Sequence, residues 1–143
     1  MYKHILVPVD LNDATSWQKV LPTTIELCRV FGATLHLMTV VPEIGIHGAV
    51  TQFFPSDYED QIKRQVHDEL HAFSARQVPA DMKVQHVIAH GKIYKEILET
   101  AKRVKADLIV MGAHHPELED YLLGPNAARV VRHAACSVMV VRD

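Results

Sequence analysis

Hydrophobic and polar positions switch between two modes along the chain. "HILVPVD" (His4–Asp10) is a short, almost unbroken apolar run, the signature of a parallel strand covered on both faces. "TSWQKVLPTTIELCRVFG" then turns to helical spacing, with Val20, Ile25, Leu27, Cys28 and Phe31 on one stripe and Gly32 as its stop. Pro22 lies within that segment, where an interior proline costs about 3 kcal/mol, so a kink or a late helix start is expected. "ATLHLMTVV" reads as the second strand.

The loop "PEIGIHGAVTQFFP" follows, rich in Gly and Pro and read as a mobile loop or lid. Ser56 and Glu59 then form a capping-box pattern. Tyr58, Ile62, Val66, Leu70 and Phe73 continue it as one amphipathic stripe. "MKVQHVIAH" mixes polar residues into a strand, which suits a sheet edge, and Gly91 turns the chain. Ile93, Ile97, Leu98, Ala101 and Val104 mark a third helix, "DLIVMGA" a buried strand, "NAARVVRHA" a short helix and "CSVMVVRD" the last strand. Alternation of strand and helix, with right-handed crossovers, predicts an open, doubly wound, Rossmann-like α/β domain over residues 1–143: five parallel strands with helices on both faces.

Composition narrows the function classes. A formal net charge of −2 and 48% hydrophobic residues argue against a nucleic-acid or anionic-membrane partner and against disorder. No apolar run approaches the roughly 20 residues of a membrane span. Met1 leads almost directly into the first strand, so no signal peptide is expected. Cys28 and Cys136 are read as buried thiols, and the cytoplasm as the compartment.

Candidate chemistry gathers at strand ends. In open parallel sheets, ligands sit outside the carboxyl ends of strands, where strand order reverses. Pro8, Val9 and Asp10 end the first strand, Val40 and Val41 the second, and Met111, Gly112 and Ala113 the fourth. Such a set offers apolar walls, backbone polar groups and one carboxylate, which suits a base and a ribose. Each residue has a plainer alternative: Asp10 as a helix cap or turn residue, Gly112 as a strand-to-loop turn, and Gly124-Pro125 as a helix start.

Of the ten histidines, His67 and His71 lie four apart with Asp60 seven residues before His67. They are read as a solvated helix flank rather than a metal site. His114-His115 sits in the presumed ligand loop, and His133 ends the last helix, where positive charge suits the dipole. Phe53, Phe54 and Tyr58 are read as packing under the loop.

The stretches "YKHILVPVDLND", "HGKIYKEILETAKRVKADLIVMG" and "VKADLIVMGAHHPELEDYLLGPNAARVVRHAACSVMVVRD" resemble the universal stress protein family over the whole chain. Nucleotide-binding members carry glycine, two residues, glycine, nine residues, then glycine with serine or threonine. Gly112 matches the first glycine, and His115 stands at the second. Eight residues separate His115 from Gly124, and Pro125 replaces the hydroxyl residue.

The resemblance implies the strand order 3-2-1-4-5. It also implies that Asp10 meets the ribose, that Val40 lines an adenine pocket, and that Met111 and Gly112 border base or ribose. It places His115, Gly124, Pro125, Asn126 and Ala127 around the phosphates. It further implies an adenine nucleotide (ATP, ADP or AMP) as ligand, with magnesium as an optional companion. In the residues themselves, no obvious carboxylate pair for magnesium stands out beyond Asp10 and Asp13. A homodimer through the C-terminal strand and a regulated protein partner are also implied. Alternatives are a dimeric interaction module that has lost nucleotide binding, and a slow ATP hydrolase. No Walker-type lysine motif accompanies the loop.

Overall fold

The computed structural model describes residues 1–42, 58–113 and 124–142. Five strands, β1 (His4–Pro8), β2 (Thr34–Pro42), β3 (Val84–Gly91), β4 (Leu108–Gly112) and β5 (Ser137–Val141), form one sheet. Its order is β3-β2-β1-β4-β5 and every pairing is parallel. Four helices, α1 (Val20–Phe31), α2 (Tyr58–Gln77), α3 (Ile93–Arg103) and α4 (Pro125–His133), connect the strands, and a short 3-10 turn spans Ala14–Ser16. The expected strand order and doubly wound architecture are therefore observed.

Side-chain alternation splits the core in two. Ile5, Val7, Leu35, Leu37 and Val110 face α1 and α2, where they meet Leu21, Cys28, Leu70 and Phe73. Leu6, Met38, Ile109 and Met111 face α3 and α4, where they meet Ile97, Ala101, Ala127 and Val130. The central strands read as unbroken apolar runs because both of their faces are covered. Each fully buried Leu or Ile adds about 1.5–3 kcal/mol of transfer free energy.

Of the two outcomes anticipated for Pro22, the structure takes the late start. The helix begins at Val20, so Pro22 falls in the first turn, where a missing N–H breaks little. Gly32 ends the helix with φ 67°, ψ 30°, the left-handed cap that glycine adopts without strain. Only the second half of the α2 stripe is deep: Leu70 and Phe73 are buried, while Ile62 and Val66 are half-buried. Most of the anticipated lid, with Phe53, Phe54 and Ser56, and also His114 and His115, lies outside the described residues. Cys28 and Cys136 are free thiols; Cys28 is buried and Cys136 half-buried. Burial pushes the Cys28 thiol up to about 11.

His67 and His71 are not simply a solvated flank. Their rings lie 4.2 Å apart, and His71 stacks in turn on His86 of β3 at 4.0 Å. Burial lowers the pKa of His86, and the neighbouring His71 and His67 lower it further. On the neighbouring strand β2, His36 stands in register with Gln85, next to His86; it is 2% exposed, with its Nε2 3.0 Å from His4 Nδ1. Burial, then His4, lower its pKa, against a smaller opposing effect from Gln85.

Both histidines are thus held neutral in the fold, while the unfolded chain protonates them near pH 6.5. Their contribution to stability is complete above that pH and is lost as pH falls toward the lower folded values. The melting temperature should therefore hold between pH 8 and 7 and fall from pH 6.5 to 5, by about 2–4 °C for each kcal/mol lost. His86→Gln should flatten part of that slope. Calorimetric scans across the range check this, and a flat profile down to pH 5 would contradict it.

Candidate functional site

The sheet changes winding direction between β1 and β4, and there a cleft of about 540 Å³ opens outside the carboxyl ends of the strands. Ten of the twelve residues singled out in the sequence line it: Pro8, Val9, Asp10, Val40, Met111, Gly112, Ala113, Gly124, Asn126 and Ala127. Pro125 is exposed on the first turn of α4 and is not in the lining, and His115 lies outside the described residues.

Asp10 belongs to a tight turn that follows β1. Its Oδ1 accepts the N–H of Asn12 at 2.9 Å, and its own N–H donates to Ser16 Oγ at 2.9 Å. The Asp13 N–H closes the turn on the Asp10 carbonyl at 3.0 Å. Asp10 is therefore a turn residue with an exposed carboxylate on the cleft, and the cap role falls to Asp13. The Asp13 Oδ1 accepts both the N–H (3.1 Å) and the hydroxyl (2.6 Å) of Thr15, at the start of the 3-10 turn. These bonds fix residues 10–16 locally, so both carboxylates reach the cleft on a preorganised backbone.

Gly112 has a packing reason of its own. A Cβ built there would meet the Thr15 carbonyl oxygen at 3.2 Å and Val20 Cγ2 at 3.6 Å. The missing side chain lets the 3-10 turn close against the end of β4. Gly112→Ala should push that turn outward by a few tenths of an ångström and destabilise the protein by about 1–3 kcal/mol. Because the displaced turn carries Asp10 and Asp13, occupancy of the cleft should weaken as well. A thermal melt and a titration on the one variant check this; an unchanged melting temperature would show that the turn gives way freely.

Of the residues that the resemblance places around the phosphates, not all offer a donor. The N–H of Gly124 is already bonded to the Ala113 carbonyl at 3.2 Å, so it is not available to an anion. Gly124 caps α4 with φ −62° and ψ 159°, a conformation open to any residue. Donors from the first turn of α4 come instead from Asn126 and Ala127, whose N–H groups have no partner inside the helix. Pro125 at the first helical position preserves the helix while contributing no donor.

Several lining residues were missed in the sequence. Val66 and Glu69 reach the cleft from α2, Ile93 and Ile97 from α3, and Thr39 from β2. The α2 pair stands on the same segment as the recognised core stripe, but nothing in its spacing marks a ligand wall. Trp17, the one tryptophan, packs edge-on against Phe73 at 5.1 Å between the 10–16 turn and α2, and its Nε1 is buried without a partner among the described residues. It is placed to report on both walls by fluorescence.

Comparison with known proteins gives a consistent picture. Residues 1–142 match the profile of the Universal stress protein family. Universal stress protein G of Shigella flexneri is 28% identical over 145 residues, covering 99% of this chain and 100% of that protein. Among solved structures, universal stress protein UspA from Lactobacillus plantarum superposes with a TM-score of 0.79 at 26% identity, covering 99% of this chain and 98% of that one. A universal stress protein solved in complex with cAMP superposes with a TM-score of 0.60 at 22% identity, covering 99% and 97%.

Proposed function

The chain belongs to the universal stress protein family, and from that premise we propose that it binds an adenine nucleoside or nucleotide in the strand-end cleft and acts as a regulatory stress-response module. The observation that carries the reading is the convergence of Asp10, Val40, Met111, Gly112, Asn126 and Ala127 on one cavity at the switch point. Val40 and Met111 supply an apolar slot of the kind a purine fills. Asp10 supplies a carboxylate acceptor for ribose hydroxyls, and the first turn of α4 supplies amide donors and the positive end of a helix dipole. The neighbour solved with cAMP shares this fold, which supports an adenosine moiety as the recognised group.

The test is a panel of adenosine, AMP, cAMP and ATP, with guanosine as control, followed by thermal shift and Trp17 fluorescence. A ligand at 100 times its dissociation constant adds about 2.7 kcal/mol of stability, or roughly 2–4 °C per kcal/mol for a chain of this size. An absence of any shift across the adenine series would end the proposal.

A second reading has one specific support: Pro125 offers no N–H and the Gly124 N–H is taken, so the phosphate end of the cleft is poor in donors. On this reading the protein works only through assembly. In either case we place a homodimer at β5, whose Val138, Met139, Val140 and Val141 are half-buried at the sheet edge. The regulated partner then meets the dimer, and the cytoplasm is the compartment that the two free thiols fit.

A further inference from the structure

We infer that the cleft is a charge filter, with Glu69 as a specificity-determining residue: it accepts adenosine, or a nucleotide with a singly charged phosphate diester, and disfavours the free triphosphate. This rests on the proposed adenine reading and concerns which members of that ligand class are held.

The argument begins with an inventory of charge. Asp10, Asp13 and Glu69 all line the cleft. The chain has 15 lysines and arginines, and none of them is in the lining. The two segments that flank the cleft in sequence, 43–57 and 114–123, contain no lysine or arginine either. No cationic fork or ammonium can therefore reach a phosphate from those segments. The arginine nearest in sequence to the first turn of α4 is Arg129, and its guanidinium lies over the Tyr94 ring at 4.9 Å.

What remains for an anion is weak. Two first-turn amides, on Asn126 and Ala127, and the dipole of α4 can balance one phosphate group. A triphosphate brings several further charges into a wall of three carboxylates. Glu69 stands on α2, and its contact among the described residues is a 3.3 Å hydrogen bond from the exposed Gln65 amide, so no described cation neutralises it. Its charge is accordingly free to act on a ligand.

The experiment is calorimetry at pH 8 in EDTA, at two salt concentrations, with adenosine, cAMP, AMP and ATP. ATP should bind about tenfold more weakly than adenosine, the sum of a few screened like-charge pairs. Added salt should tighten ATP binding, because it screens repulsion; a lysine- or arginine-held phosphate would show the reverse. Adding magnesium should recover part of the ATP affinity. In Glu69→Lys the ratio of ATP to adenosine affinity should rise by about threefold or more, a change of two charges at an exposed position.

ATP that binds more tightly than adenosine in EDTA, and weakens with salt, overturns the filter while leaving the adenine reading intact. An unchanged ratio in Glu69→Lys overturns the role of Glu69. Failure of every adenine ligand to bind removes the underlying reading, and the filter with it.

Discussion

Asp10→Ala should lower adenosine affinity at least about tenfold and leave the ligand-free melting temperature little changed. The affinity loss follows from the carboxylate lost to the ribose hydroxyls, where each charge-assisted hydrogen bond is worth about 1.5–3 kcal/mol. The small stability effect follows from geometry. Asp10 is exposed, and its one side-chain bond among the described residues is the acceptance of the Asn12 N–H. The turn keeps its backbone closure from Asp13 N–H to Asp10 carbonyl and its Ser16 hydroxyl contacts. A turn bond of this exposed kind contributes about 0.5–1.5 kcal/mol. Titration and thermal melts on the same variant separate the two roles. If the melting temperature falls while relative affinity holds, Asp10 serves the turn and the ribose is held elsewhere. Asp10→Asn should keep much of the turn and still lose the charge-assisted part of the binding.

Val140→Lys should convert a dimer into a monomer. Among the described residues of a single chain, β5 is the sheet edge and pairs with β4 alone, leaving a row of backbone groups open. Val140 is in register with Met111 and is half-buried on that edge. A symmetric antiparallel pairing of two such strands would bury both copies of Val140, and an unpaired lysine there costs about 3 kcal/mol or more per copy. With two copies in the interface, the dissociation constant should rise on the order of ten-thousand-fold. Sedimentation velocity of both proteins at micromolar concentration decides the matter. A wild type that runs as a monomer removes the edge-pairing proposal, and an unaffected dimer in Val140→Lys moves the interface away from β5.

The periodicity of the sequence determined the α/β class, the five strands and the four helices, while the strand order came from the family resemblance. The reason is local: a strand covered on both faces must be apolar at every position, a helix on a sheet must be apolar on one stripe, and the two periods do not resemble each other. The strand ends were legible too, because the chemistry of an open parallel sheet is confined to them. Thus Asp10, Val40, Met111 and Gly112 could be named, and they share one cleft.

Only the tertiary structure decided the remainder. Val66 and Glu69 became cleft residues because α2 crosses over the sheet at one height, which no spacing within α2 encodes. The Gly124 N–H was lost to the Ala113 carbonyl, since the start of α4 meets the end of β4 there. Gly112 proved to be a contact for Thr15 as well as the end of a strand. His86 entered a stack with His71 and His67 that joins an edge strand to a helix. Burial periodicity is written within a few residues of chain, whereas contact between elements depends on crossover lengths, twist and packing height, and these are fixed only when the whole core closes.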